Sequence, residues 1–285
     1  MITSRDILLG LLLPGVATAT LVLLTARWCG CAFGLAAGYA LGHALIGGWP
    51  GWPPLTTEQW LVYLALLAAG ADWVERRSHK ALLQWGIRTV LVGLLLGLTL
   101  RPLIQQSWTV GQSFGWTAGS AVVLLALWRL SKRGGASEKP MVLLLSWILV
   151  VGATGMVCAM SGSQKLGQFG GTLTAALIGC ALVAVWKPEA ALDCGGWAVT
   201  VVVWIGLLLN GHFYASVPWW AGLLLGLAPL GMWIGTFLRA GSWKPWQKTA
   251  LILGAVSVPL MAAMIPITVR FLRAMSAAPG SADYY

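Results

Sequence analysis

Residues 140–160, PMVLLLSWILVVGATGMVCAM, carry no charged side chain, and neither do residues 7–26, ILLGLLLPGVATATLVLLTA, where Ala17-Thr18 answers to Ala153-Thr154 of the later stretch. An apolar run of about 20 residues is what a helix needs to cross a hydrocarbon layer of about 30 Å. Lipid offers no partner to backbone N–H and C=O groups, so a spanning segment is either a helix or part of a closed barrel. Runs of this length without strand-like alternation are helices. Working outward, Phe33-Gly34 recurs as Phe169-Gly170, Trp60 as Trp197 and Leu100-Arg101 as Leu238-Arg239, at an offset that grows only from 136 to 138. The pattern reads as one unit of five hydrophobic segments present twice.

Composition agrees with a membrane setting. The chain of 285 residues is 58% hydrophobic and 9% charged, whereas soluble domains carry about 25% charged residues. Ten spans are expected, at 7–26, 28–47, 58–74, 84–103, 114–130, 140–160, 166–186, 196–212, 218–238 and 249–270, with a tight reversal at Cys29-Gly30-Cys31 between the first two. The fold class is therefore an all-α polytopic membrane protein of about ten transmembrane helices in two inverted five-helix repeats. Residues 1–130 form the first repeat, 131–139 a basic cytoplasmic hinge loop, 140–275 the second repeat and 276–285 a short flexible tail.

Loop charge sets the orientation, because Lys and Arg are retained on the cytoplasmic side. One face receives Arg5, Arg101, Lys165, Arg270 and Arg273; the other receives Arg27, Arg76, Arg77, Lys80, Arg88, Arg129, Lys132, Arg133, Lys139, Lys187, Arg239, Lys244 and Lys248. Both termini are thus expected outside, in a bacterial plasma (inner) membrane. The bias flips between equivalent loops: 3–4 holds Arg76, Arg77 and Lys80, while its counterpart 8–9 holds no Lys or Arg. Five spans per copy impose that inversion.

The net charge of +10 is spread over short loops that meet anionic headgroups, so no nucleic-acid partner is expected. Most of the 18 tryptophans fall at span ends as an interfacial belt. Trp147 and Trp204 lie well inside spans six and eight. Trp49, Trp52, Trp60, Trp108, Trp116, Trp219 and Trp220 gather at the outer face, where they could dock a membrane protein. The five cysteines match no metal or haem spacing, and no metalloprotease, nucleophile-elbow or phosphate-loop motif is present. The chain is read as a non-enzyme without metal or cofactor.

The polar inventory inside the spans supplies the candidate site, since buried ionisable groups in a bilayer are functional by default. All eight acids lie at span ends or in loops. His43 is the deepest titratable side chain, and Gly34, Gly38 and Gly42 leave one face of its helix as bare backbone that a neighbouring helix or a partner can approach. Pro14-Gly15 in span one and Gly152 to Thr154 in span six occupy matching positions where unwinding would expose carbonyls. Pro229 kinks span nine. The expected substrate-binding set is Pro14, Gly15, Tyr39, His43, Trp147, Gly152, Thr154, Trp204 and Pro229, around one cavity between the repeats. Asp72 and Asn210, at equivalent ends of spans three and eight, are candidate gates.

In size and layout the chain resembles the drug/metabolite transporter superfamily, which implies a carrier fold of two inverted halves. The resemblance is architectural and transfers no residue roles; the charge count also puts the N-terminus outside, where that family usually has it inside. The expected function is a small secondary transporter or facilitator for a neutral or amphipathic solute. The alternative is a non-catalytic structural or assembly subunit that packs through its glycine seam or outer tryptophans. The charge split makes a direct prediction: a membrane-impermeant thiol reagent should fail to label a cysteine at position 135 from the outer side of intact cells, and labelling there would invert the topology.

Overall fold

A computed structural model describes residues 8–29, 31–78, 80–135, 140–187, 195–237 and 244–277. Among them no strand occurs, and a helix covers each interval read from the sequence. A π-helical turn, Leu8–Leu12, runs into α1 (Leu13–Cys29); α2 (Ala32–Gly47), α3 (Trp60–Arg77), α4 (Ala81–Gln106) and α5 (Val110–Gly135) follow. Next come α6 (Pro140–Met160), α7 (Gln164–Trp186) and α8 (Trp197–Tyr214). The ninth segment is broken: α9 (Trp219–Leu227) gives way to a 3₁₀ turn, Ala228–Trp233, and a last helical turn, Ile234–Phe237. α10 (Pro245–Ala277) is the longest helix, at 33 residues.

Seven of these segments are long and apolar enough to cross a bilayer, and α1 and α2 are shorter apolar helices. The chain is an integral, multi-pass membrane protein. α3 has the length but gathers Asp72, Glu75, Arg76 and Arg77 into its last turns.

Local sequence accounts for the helix boundaries. Pro140 and Pro245 open α6 and α10, where a missing N–H costs nothing. The Ser163 hydroxyl accepts the Leu166 N–H and caps α7. Pro14 has no N–H to return to the preceding turn, and the wide π-helical turn lies directly before it. Pro229 sits in the 3₁₀ turn of the ninth segment. By contrast α6 runs without interruption through Gly152 to Thr154, so the expected pair of matching breaks exists on one side only. α5 extends through residue 135 and takes up the first half of the expected 131–139 hinge; positions 136–139, the turn glycine Gly30 and most of the 276–285 tail lie outside the described residues.

Packing follows the glycines. α2 lies on α1 where a methyl on Gly34 would strike Val22 and one on Gly38 would strike Thr18. α6 lies on α7 through Gly155, Gly167 and Gly170, and Gly170 is the 136-residue counterpart of Gly34. The seam at Gly34, Gly38 and Gly42 is thus filled by Val22, Thr18 and Pro14 of the chain's own first helix, with Thr172 of α7 also against Gly42, rather than left for a partner. α3 packs on α8, and α2 on α7. α1 also packs closely on α7, while the equivalent pair α6 and α2 shares no comparable interface.

The closest approach of a glycine to another helix's backbone sets a test. A methyl on Gly179 would run into the Gly15 carbonyl oxygen, which is backbone and cannot rotate away; one on Gly93 would meet nothing within 4 Å. Gly179→Ala should therefore destabilise the protein in detergent by about 1–3 kcal/mol, whereas Gly93→Ala should be neutral or gain up to about 1 kcal/mol from helix propensity. Equal unfolding midpoints for the two would refute this packing.

Candidate functional site

α2 carries Tyr39 and His43 one turn apart on the face that meets α7. Both are fully buried. The His43 ring stacks on Phe169 at 4.0 Å with the planes 11° apart, and Tyr39 meets His43 edge-on at 6.1 Å. Among the described residues, neither His43 ring nitrogen, nor the Tyr39 hydroxyl, nor the Thr18 hydroxyl on α1, has a hydrogen-bond partner. Pro14 and Thr172 close the space at Gly42, one residue before His43. Four of the expected site residues, Pro14, Gly15, Tyr39 and His43, thus converge where α1, α2 and α7 meet.

The stack leads outward to charge. Lys165, in the first turn of α7, places its ammonium 5.8 Å from the Phe169 ring centroid and pairs with Glu58 in the segment leading into α3. Glu58 is mostly buried and Lys165 is 41% exposed. A partly exposed pair of this kind contributes about 0.2–1 kcal/mol, weak enough to open under thermal motion. Next to it the Thr57 hydroxyl donates to Asn210 Oδ1 at 2.6 Å, and Asn210 Nδ2 donates to the Gly206 carbonyl within α8.

A matching arrangement lies at the other end of α3, about 20 Å away at 1.5 Å per residue. Asp72 Oδ2 accepts the backbone N–H groups of Gly196 at 2.8 Å and Ala198 at 3.0 Å. Gly196 is the N-cap of α8, with φ of +91°. A glycine there suits the left-handed backbone but brings no oxygen to the exposed N–H groups of the helix start, and Asp72 supplies one from α3 together with charge that favours the helix dipole. The neighbouring Gly195 carbonyl accepts the Cys31 thiol at the start of α2. Cys31, Cys158 and Cys180 are buried.

The two arrangements correspond element by element. The segment leading into α3 is held by the end of α8 and the start of α7; the segment leading into α8 is held by the end of α3 and the start of α2. Asp72 and Asn210, read as gates, each fasten the beginning of the other's helix.

Trp147, Thr154 and Trp204 form a second group. The Trp204 indole N–H donates to the Thr154 hydroxyl at 3.1 Å, which donates in turn to the Val150 carbonyl at 2.8 Å. Trp147 meets Trp204 and Trp197 edge-on at 5.2 and 5.6 Å. These residues are fully buried between α6 and α8, a packed aromatic core rather than an open wall. Gly152 faces Thr174 of α7. The turn holding Pro229 packs on α5, α6 and α10 and does not join the His43 group, so the expected set divides instead of lining one cavity.

Sequence reasoning missed Glu58, Lys165, Thr57 and Phe169. Glu58 and Lys165 are 107 residues apart, but Phe169 belongs to the Phe-Gly match with Phe33, and that match could have drawn attention to α7. Among the described residues no group of three His, Cys, Asp or Glu is placed to hold a metal ion.

No protein-family model matches the chain, and comparison with curated proteins finds no similar one.

Removing the Asp72 carboxylate leaves two buried N–H groups unpaired, which costs about 1–3 kcal/mol. Asp72→Ala should lower the unfolding midpoint accordingly, and Asp72→Asn, which keeps an acceptor oxygen, should recover part of the loss. Equal midpoints for the two variants would show that Asp72 does not act as the cap.

Proposed function

We propose that this protein is a small secondary carrier or facilitator for a neutral or amphipathic solute, built of two inverted five-helix repeats that together make ten crossings. The observation that carries this reading is the pair of equivalent ties. In this reading a two-fold axis in the membrane plane, passing between α3 and α8, would relate Thr57-Glu58 to Gly195-Gly196, Asn210 to Asp72, and the start of α7 to the start of α2. A repeat with that symmetry presents the same fastening to each side of the bilayer, which is the layout alternating access requires. The outer latch is Glu58–Lys165 with Thr57–Asn210; the inner latch is Asp72 and Cys31 on the turn before α8. The charge split supports both termini outside in a bacterial plasma membrane. Tyr39, His43 and Thr18, buried and unpartnered between the latches, are the polar groups a passing solute would meet.

A second reading has its own support. Trp147, Thr154 and Trp204 are packed solid, and Trp52 and Trp219 stand exposed at the outer face, as suits a subunit that assembles with other membrane proteins.

Locking one latch separates the two. In liposomes, a Glu58→Cys, Lys165→Cys disulfide should stop the flux of whichever neutral or amphipathic solute, from a panel, the wild type conducts, and reduction should restore it. Should no panel solute move through the wild type, or the disulfide leave flux untouched, the carrier reading fails and the assembly reading takes its place.

A further inference from the structure

Away from the His43 group, α3 and α4 leave a groove open to the surrounding lipid. Its volume is about 980 Å³ and its walls are almost wholly apolar. Leu66, Leu67 and Gly70 of α3 face Leu94 and Leu98 of α4 across it. The residues that close its two ends differ in chemistry.

One end is aromatic. Trp52 packs edge-on against Trp60 at 5.9 Å and Tyr63 at 5.4 Å, and the Tyr63 hydroxyl donates to the Pro50 carbonyl at 2.8 Å. The other end is cationic: Trp73 lines the groove, and the Arg77 guanidinium carbon lies 3.7 Å from its ring centroid. Arg76, Arg77 and Lys80 are exposed there. Asp72 is buried on the α8 cap, and Glu75 is buried in a bidentate pair with Arg88 at 2.8 and 2.9 Å.

We propose that this groove binds one anionic phospholipid, with an acyl chain along Leu66 to Gly70 and the headgroup phosphate at Arg76, Arg77 and Lys80. From Trp60 to Trp73 the groove runs about 20 Å, more than the roughly 15 Å that one leaflet of a 30 Å hydrocarbon core provides. A chain from the leaflet facing the arginines therefore fits within it. Exposed basic residues at a helix end attract anionic headgroups, and stacking on Trp73 holds Arg77 at the mouth of the groove. This site stands or falls independently of the carrier reading.

Native mass spectrometry of the full chain, delipidated and then offered phosphatidylglycerol or phosphatidylethanolamine, tests it. The wild type should retain one phosphatidylglycerol in clear preference. A Cβ on Gly70 meets nothing within 4 Å, so Gly70→Phe should fill the groove and abolish retention, while Gly93→Phe, likewise in open space, should not. Arg76→Gln with Arg77→Gln should cut the headgroup preference roughly tenfold or more. Equal retention of the two lipids by the wild type, retention unaffected by Gly70→Phe, or a lipid-free dimer that Gly70→Phe dissociates would each overturn the proposal.

Discussion

Hydrocarbon has nothing to offer a peptide N–H or C=O, and every departure from regular helix in this chain must find its partner inside the protein. Among the described residues, four departures show how this is met. Pro14 is preceded by a π-helical turn, and Pro229 sits in a 3₁₀ turn that keeps the ninth segment hydrogen-bonded. The glycines before α8 leave N–H groups that Asp72 accepts from another helix. The segment before α3 is tied by Asn210 and Lys165. Long-range side-chain contacts thus serve two ends: Asp72 satisfies backbone N–H groups before α8, and Asn210 and Lys165 hold the side chains of Thr57 and Glu58 before α3.

Close helix contact is the second consequence of the solvent. Lipid tails are as apolar as leucine, so helices gain by packing rather than by leaving water. The absent side chains at Gly38, Gly42 and Gly179 bring α1 against both α2 and α7, and this three-helix contact presses Tyr39 and His43 into full burial. A polar cluster that would be exposed at a looser junction is buried here, with Phe169 stacked on the imidazole. The polar groups and the glycines are one arrangement, since a methyl group at Gly42 would push away Thr172 and Pro14, which close the space beside His43.

The helical segments were legible because hydrophobic runs and their interruptions are local properties; the intervals around 140–160 and 166–186 lie within a few residues of α6 and α7. Asp72 and Asn210 were legible as an equivalent pair from their spacing alone. Their partners were not, because an N-cap supplied from another helix leaves no mark in the sequence around Gly196 except the absence of a capping side chain. The Glu58–Lys165 pair was hidden for a related reason: each residue reads as an ordinary interfacial charge until α2, α3 and α7 are assembled. Trp147 and Trp204 were correctly placed inside their helices, but periodicity cannot distinguish a cavity wall from a packed aromatic core. The Thr154 hydroxyl that satisfies Trp204 became visible only with α6 and α8 side by side.

The two ends of the α3–α8 pair are fastened in the same places by different physics. At one end the fastening joins a partly exposed ammonium to a mostly buried carboxylate, which dissolved salt screens in part and which opens with a small rotation of a long, flexible side chain. At the other it is a buried carboxylate on backbone N–H groups, which salt reaches less and whose release leaves those N–H groups unpaired. The α3–α8 pair thus has a stiff end and a soft end. Dissolved salt therefore loosens one end of the pair more than the other, so the two ends of one helix pair answer differently to the same solution.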